Sequence, residues 1–275
     1  MLSGNEMKNI SILNNKDNIT LSLSPFPHVI IKHALPAILA DQLTSEFPIH
    51  AFDTSMNNVR KDISAIKVKN NSNISNLWKE FIHYHSSHAF FKEVLQIFKS
   101  CFDENIYRSY SEFSSGVRGH DHHKERQILL DAQISINTPV TESSSVRKAH
   151  VDNTNKLFSG LYYLRKDNDD SAGGDLEILD WNPSYTKHKK LKSYKEGVSP
   201  KHFYRIKKLR YKNNVAIIFL NSIDALHAVT PREPTIHSRC FVNLVGELQD
   251  DIFEKHTPLK MKIHAFKEKA RRFLR

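Results

Sequence analysis

Residues 148–178 read KAHVDNTNKLFSGLYYLRKDNDDSAGGDLEI, and this stretch decides the fold. Leu161 to Leu164 is aromatic and apolar, as a strand prefers. Residues 167–174, DNDDSAGG, are dense in turn formers. Leu176, Ile178 and Trp181 resume the apolar pattern, so the whole stretch reads as strand, turn, strand, turn, strand. Further along, residues 214–220 (NVAIIFL) form a short continuous apolar run, which suits a strand buried on both faces. Residues 239–245 (RCFVNLV) read as another strand, closed by Gly246. Upstream, residues 129–137 (LLDAQISIN) alternate, with Asp131, Gln133, Ser135 and Asn137 on one face and Ala132, Ile134 and Ile136 on the other. Such a polar face suits a barrel whose mouth holds a polar ligand. An edge strand with one solvated face fits the same pattern.

His150 and Asp152 are two residues apart, and in extended backbone side chains at i and i+2 project to the same side. Both can therefore reach one metal ion. A third ligand has to come from a neighbouring strand, and His227, a few residues past the 214–220 run, is placed for it. Two imidazoles and one carboxylate are the ligand set of a non-haem Fe(II) oxygenase, leaving three positions of an octahedral ion open. Arg239, twelve residues further on, offers a guanidinium fork for a far carboxylate. His-x-Asp alone is a weak signal in a chain with 16 histidines, so the spacing needs its context.

That context resembles a known family. His150-Val-Asp-Asn-x-Asn, then Tyr162-Tyr163-Leu with Lys166-Asp167, then Gly173-Gly174-x-Leu-x-Ile, and later Leu226-His-Ala-Val229 and Ser238-Arg-Cys-Phe-Val-Asn243 follow in order. They resemble the Fe(II)- and 2-oxoglutarate-dependent dioxygenases, in particular the prolyl-hydroxylase-like branch. The resemblance implies an α+β fold with a double-stranded β-helix (jelly-roll, cupin-like) core buttressed by N-terminal helices. It implies that His150, Asp152 and His227 bind Fe(II), and that 2-oxoglutarate and O2 are co-substrates. It further implies that Arg239 pairs with the distal carboxylate of 2-oxoglutarate and that Tyr163 donates its phenol there. Asn243, on the strand face of Arg239, adds a polar contact nearby. The interval from His227 to Arg239 is longer than is common in the branch, and Arg232 is a rival for the carboxylate. Arg239 is preferred because it starts a strand, whereas Arg232 lies in the turn sequence Thr-Pro-Arg-Glu-Pro. The presence of Asp152 argues against halogenation, because related halogenases lack that carboxylate.

The rest of the chain is read as one domain around this core. Residues 1–128 comprise a loosely held lead-in to residue 24, a strand near 24–31, a helix over 37–47 and a helix pair over 77–102 interrupted at 85–88. Residues 129–250 form the barrel, interrupted by a basic insertion over 182–212. That insertion carries eleven Lys/Arg against one acid, Glu196, a surplus as large as the +10 of the whole chain. It reads either as a solvated face or as a positive rim that attracts an anion. Residues 251–275 read as a basic amphipathic helix, which either docks on the barrel or lies on an anionic membrane surface. His120-Asp-His-His123 reads as an exposed loop rather than a second metal site. Two cysteines without paired spacing fit a reducing cytoplasm, with membrane contact at its inner face as the further expectation.

The expected activity is hydroxylation of an anionic small molecule, glycan or lipid-linked sugar; the superfamily includes a hydroxylase of Kdo in lipopolysaccharide. Gln133 and Ser135 are the candidate substrate contacts. Peptidyl-prolyl hydroxylation is the second expectation. A non-catalytic barrel binding nucleic acid through the insertion is the third, disfavoured because the basic segments lack regular aromatic interleaving.

Overall fold

A computed structural model of the chain describes residues 10–184 and 197–253. In chain order its strands are β1 (Ile19–Ser22), β2 (His28–Lys32), β3 (Arg60–Ile63), β4 (Ser115–Val117), β5 (Ile128–Asn137), β6 (Lys156–Leu164), β7 (Leu176–Trp181), β8 (Phe203–Leu209), β9 (Val215–Leu220), β10 (His227–Val229) and β11 (Arg239–Leu248). Its α-helices are α1 (Ala37–Ser45), α2 (Ala65–Lys69), α3 (Asn76–His85), α4 (His88–Ile97) and α5 (Glu104–Ser111).

The strands form two sheets of a jelly roll. The larger runs β1-β2-β9-β6-β11-β5-β3, with β4 added to β5; the smaller runs β10-β7-β8. Alternation divides the larger sheet into two faces. On one face Ile128, Leu130, Ala132, Ile134 and Ile136 of β5 join Tyr162, Ile218, Val242 and Leu244 against the helices, around Trp78, Phe81, Phe90 and Phe91. The opposite face, with Tyr163, Ile217, Phe219 and Phe241, meets Leu176, Ile178 and Leu209 of the smaller sheet. The helices start where hydroxyl and carboxylate caps stand. Ser75, Ser87 and Asp103 accept from the backbone N–H groups of Trp78, Phe90 and Ile106.

Three expectations change. The lead-in is held from residue 10 onward: Ile10, Ile12 and Leu13 are buried, and Ile12 N donates to His85 Nε2 at 3.2 Å. The insertion is narrower than 182–212, because residues 203–209 are strand β8, paired with β7. Its basic pattern hid it: β8 is an edge strand that exposes its lysines to solvent, a device that blunts open edges. Finally, β11 runs through Gly246 to Leu248. A Cβ at Gly246 would lie 2.3 Å from the Phe158 ring, so this glycine admits a ring rather than ending a strand. The helix expected over 251–275 and the basic residues 185–196 lie outside the described residues. No described helix is long and apolar enough to cross a membrane.

The Gly-Gly turn after β6 has a specific role. Gly173 has φ +81°, and a Cβ there would sit 1.8 Å from the Pro231 carbonyl oxygen. Gly173→Ala is expected to lower stability by about 1–3 kcal/mol through backbone strain and overpacking, read as a fall in Tm.

Candidate active site

Sheet register builds the centre. His150 and His227 face each other as an antiparallel bridge: His150 N donates to His227 O at 2.9 Å, and His227 N to His150 O at 3.0 Å. Directly paired residues project to the same side, so the imidazole centroids are 4.3 Å apart. Asp152, two residues along, joins them, and one ligand atom from each of the three lies within 4.8 Å of the others. Among the described residues this is the only group of three or more such ligands. The 120–123 cluster is not one; His120 pairs only with its neighbour Asp121.

Each ligand is oriented from behind. His150 Nδ1 donates to Lys148 O at 2.8 Å and His227 Nδ1 to Ala225 O at 2.9 Å. A carbonyl only accepts, so each Nδ1 carries the proton and each Nε2 keeps its lone pair. Burial, then the neighbouring His150, pushes the pKa of His227 down to about 3, so its ring is neutral. Asp152 Oδ2 accepts from Ser159 Oγ at 2.6 Å and from Lys156 Nζ at 3.2 Å. Its Oδ1 lies 3.7 Å from His150 Nε2. Burial opposes ionisation of this carboxyl, but the Lys156 ammonium beside it leads the opposing causes, and its pKa lies well below the usual range. Neutral imidazoles beside an ionised carboxylate are what a ferrous ion requires. Ser159→Ala is expected to weaken metal affinity about 10–100-fold, as loss of such a supporting bond does, measured by Mn(II) calorimetry.

Behind the triad a cavity of about 410 Å3 reaches Arg239. Asn137, its register partner, accepts from Arg239 Nη1 at 3.1 Å. The guanidinium carbon lies 4.8 Å from the ring of Tyr163, 4.9 Å from Phe241 and 5.3 Å from Tyr211. Yet Arg239 Nε and Nη2 and the Tyr163 hydroxyl are buried without a hydrogen-bond partner. Unpartnered buried donors are costly and need an explanation. A carboxylate accepting from both guanidinium nitrogens and the phenol meets that need, which is how the residues present fit a keto-diacid. Burial raises the Tyr163 pKa, keeping its hydroxyl a donor. Arg232 is not available for this. It is 1 % exposed and donates to the carbonyls of Asn137, Thr138 and His237.

The other predicted residues divide. Asn243 and Gln133 line the cavity and bond each other, Asn243 Nδ2 to Gln133 Oε1, at 2.8 Å. Ser135 does not line it: its hydroxyl donates to Asp62 Oδ1 at 2.6 Å, and Asp62 takes its place at the cavity wall. Asp62 is brought there by the pairing of β3 with β5, directly opposite Ser135. Sequence reasoning missed Lys156, Ser159 and Arg147 as site residues; the path of residues 147–159 brings them to Asp152 and His150. Asn137 carried a signal, its place on the polar face of β5.

No protein-family model matches the chain, and no curated protein does. Solved structures are similar in path. A prolyl-4-hydroxylase of Pseudomonas putida is 12% identical over 81% of this chain and 93% of that one, with a TM-score of 0.44. A prolyl hydroxylase of Trichoplax adhaerens, in complex with a hypoxia inducible factor peptide, is 14% identical over 89% and 90%, with a TM-score of 0.45. The viral collagen prolyl hydroxylase of Paramecium Bursaria Chlorella virus-1 is 13% identical over 81% and 96%, with a TM-score of 0.39. The chain's own geometry is the firmer observation: two pinned imidazoles and a carboxylate converge on one point, the ligand set of a non-haem Fe(II) centre, beside a buried guanidinium and phenol that suit a carboxylate.

Proposed function

We propose that the chain hydroxylates an unactivated C–H bond of an anionic substrate. When bound, the ferrous ion with 2-oxoglutarate and O2 supplies the oxidant, and the products are the alcohol, succinate and carbon dioxide. His150, Asp152 and His227 would hold the ion. Arg239 and Tyr163 would anchor the distal carboxylate, with Asn137 fixing the fork. The apolar side chains of Leu161, Leu176, Phe219 and Phe241 line the same cavity.

The observation that carries the class is the convergence of the three ligand atoms. The anionic substrate class, an acidic sugar, glycan or lipid-linked sugar, is supported by charge. Besides Arg239 the cavity is lined by Arg60, Arg118, Arg147 and Lys156, against Asp62, Asp152 and Glu247. Peptidyl-prolyl hydroxylation is the second reading. It is favoured by the order of motifs around the ligands, and the solved structures named above are prolyl hydroxylases, with no sugar hydroxylase among them.

Succinate formation from 2-oxoglutarate tests the class, and product mass tests the substrate. Acidic sugars and proline-containing peptides are supplied separately, and the true class stimulates turnover and gains one oxygen. Absence of succinate under Fe(II) with every member of both panels would count against the proposal.

A further inference from the structure

Two side-chain amides meet on the floor of the cavity. Asn243 and Gln133 stand directly opposite each other on β11 and β5, so their side chains project to the same face. Which atom each amide presents follows from partners that act in only one sense. Arg60 donates from Nη2 to Gln133 Oε1 at 3.4 Å, and a guanidinium never accepts. On its other side Gln133 Nε2 donates to Asp131 Oδ2 at 2.8 Å. Asp131 is itself fixed: its Oδ1 accepts from Ala65 N at 2.9 Å, and its Oδ2 lies 3.5 Å from Arg118 Nη1. Gln133 is thus held with its oxygen toward Asn243, and Asn243 must offer its Nδ2, which donates at 2.8 Å.

The relay ends on Asn243 Oδ1. That oxygen has no hydrogen-bond partner among the described residues, although Asn243 is only 7% exposed and lines the cavity. A buried carbonyl oxygen left this way calls for a donor. Register sets where that donor would lie. Across β11 and β6 the pairs run Phe241 with Tyr163, Asn243 with Leu161, and Val245 with Ser159. Tyr163 stands at the carboxylate-anchoring end, and Ser159 holds the metal ligand Asp152. Asn243 therefore occupies the row between them, beside the reacting centre. A prolyl ring placed there carries neither an N–H nor an O–H group. A sugar ring carries several hydroxyls, and a hydroxyl rotates to suit a fixed acceptor.

We propose that Asn243 Oδ1 is a specificity-determining acceptor, which takes the hydrogen bond of a substrate hydroxyl beside the reacting centre. Gln133 is the positioning residue that keeps this oxygen, rather than the Nδ2 group, turned to the substrate. This rests on the acidic-sugar reading above and deepens it, by naming the atom that reads a ring hydroxyl.

The test uses the full-length chain with Mn(II), which does not turn over, and saturating 2-oxoglutarate. The probes are D-glucuronate, D-galacturonate and Kdo, each with monodeoxy analogues that lack one hydroxyl at a time, and calorimetry gives each Kd. The native chain is expected to bind one deoxy analogue about tenfold more weakly than its parent, as a site built to accept from a hydroxyl does. In Asn243→Leu, which keeps the volume and removes the amide, that ratio is expected to fall to about twofold or less, because only the parent had a bond to lose. Gln133→Met is expected to shrink the same ratio part of the way. Loss of packing alone would weaken parent and analogue equally and leave the ratio intact. A native chain that binds a parent and all its analogues alike, or a ratio that persists in Asn243→Leu, would overturn the contact and leave the metal reading standing. A ratio undiminished in Gln133→Met overturns its positioning role, and decides the proposal alone if Asn243→Leu does not fold. Uptake of none of the three acids by the native chain would overturn the acidic-sugar reading and the contact with it.

Discussion

Asp152→Ala is expected to abolish succinate formation and to weaken Fe(II) binding by more than about a hundredfold, the most that loss of a supporting residue costs. The change removes the carboxylate of the centre, whose Oδ2 is committed to Ser159 and Lys156 and whose Oδ1 faces His150. It has a second, separable consequence. The Lys156 side chain is only 13% exposed and loses its counter-charge. Breaking a buried pair from one side costs about 3–5 kcal/mol, so the metal-free variant melts lower as well. Adding Lys156→Met to Asp152→Ala should restore much of the Tm and none of the turnover. Calorimetry, succinate assay and thermal melts on the two variants distinguish lost chemistry from lost structure. A variant that melts normally and still turns over 2-oxoglutarate would remove Asp152 from the centre.

Arg239→Ala is expected to raise the KM for 2-oxoglutarate by about a hundredfold or more, with Fe(II) affinity nearly unchanged. Two charge-assisted bonds to a carboxylate are lost, each worth about 1.5–3 kcal/mol. Arg239→Lys should recover only part of the effect, because an ammonium lacks the planar fork and its place among the Tyr163, Phe241 and Tyr211 rings. Arg232→Ala should behave differently. Its guanidinium holds three backbone carbonyls together, so the loss falls on stability and leaves the KM for 2-oxoglutarate of the folded enzyme near the native value. Steady-state kinetics with 2-oxoglutarate as the varied substrate separates the two arginines. An unchanged KM in Arg239→Ala would mean that the unpartnered nitrogens serve something else.

Much of this was legible in the sequence for physical reasons that can be named. The alternation over 129–137, the apolar run at 214–220 and the helical spacing over 77–102, interrupted at 85–88, are local signals, and they became two strands and a pair of helices. The ligand set was legible because two of its members stand at i and i+2, a spacing that puts side chains of extended backbone on one side and needs no knowledge of tertiary structure. Strand β8 was not legible. An edge strand carrying Arg205, Lys207 and Lys208 outward shows the composition of a loop, and only its pairing with β7 reveals it. Ser159, Lys156 and Arg147 were not read as site residues although they stand seven, four and three residues from the ligand each touches, because the path of the backbone over 147–159, not the spacing, brings them to it. At Ser135 the strand face agrees with the sequence reading, while the neighbouring strand β3 places Asp62 opposite it as the acceptor for its hydroxyl.

The most direct test of the central claim is a crystal structure of the full-length chain grown with Mn(II) and 2-oxoglutarate, with the metal located by its anomalous signal. One peak per chain is predicted, within bonding distance of Nε2 of His150, Nε2 of His227 and a carboxylate oxygen of Asp152, with the co-substrate's far carboxylate on Arg239. A peak elsewhere, or none at this position, would contradict the account.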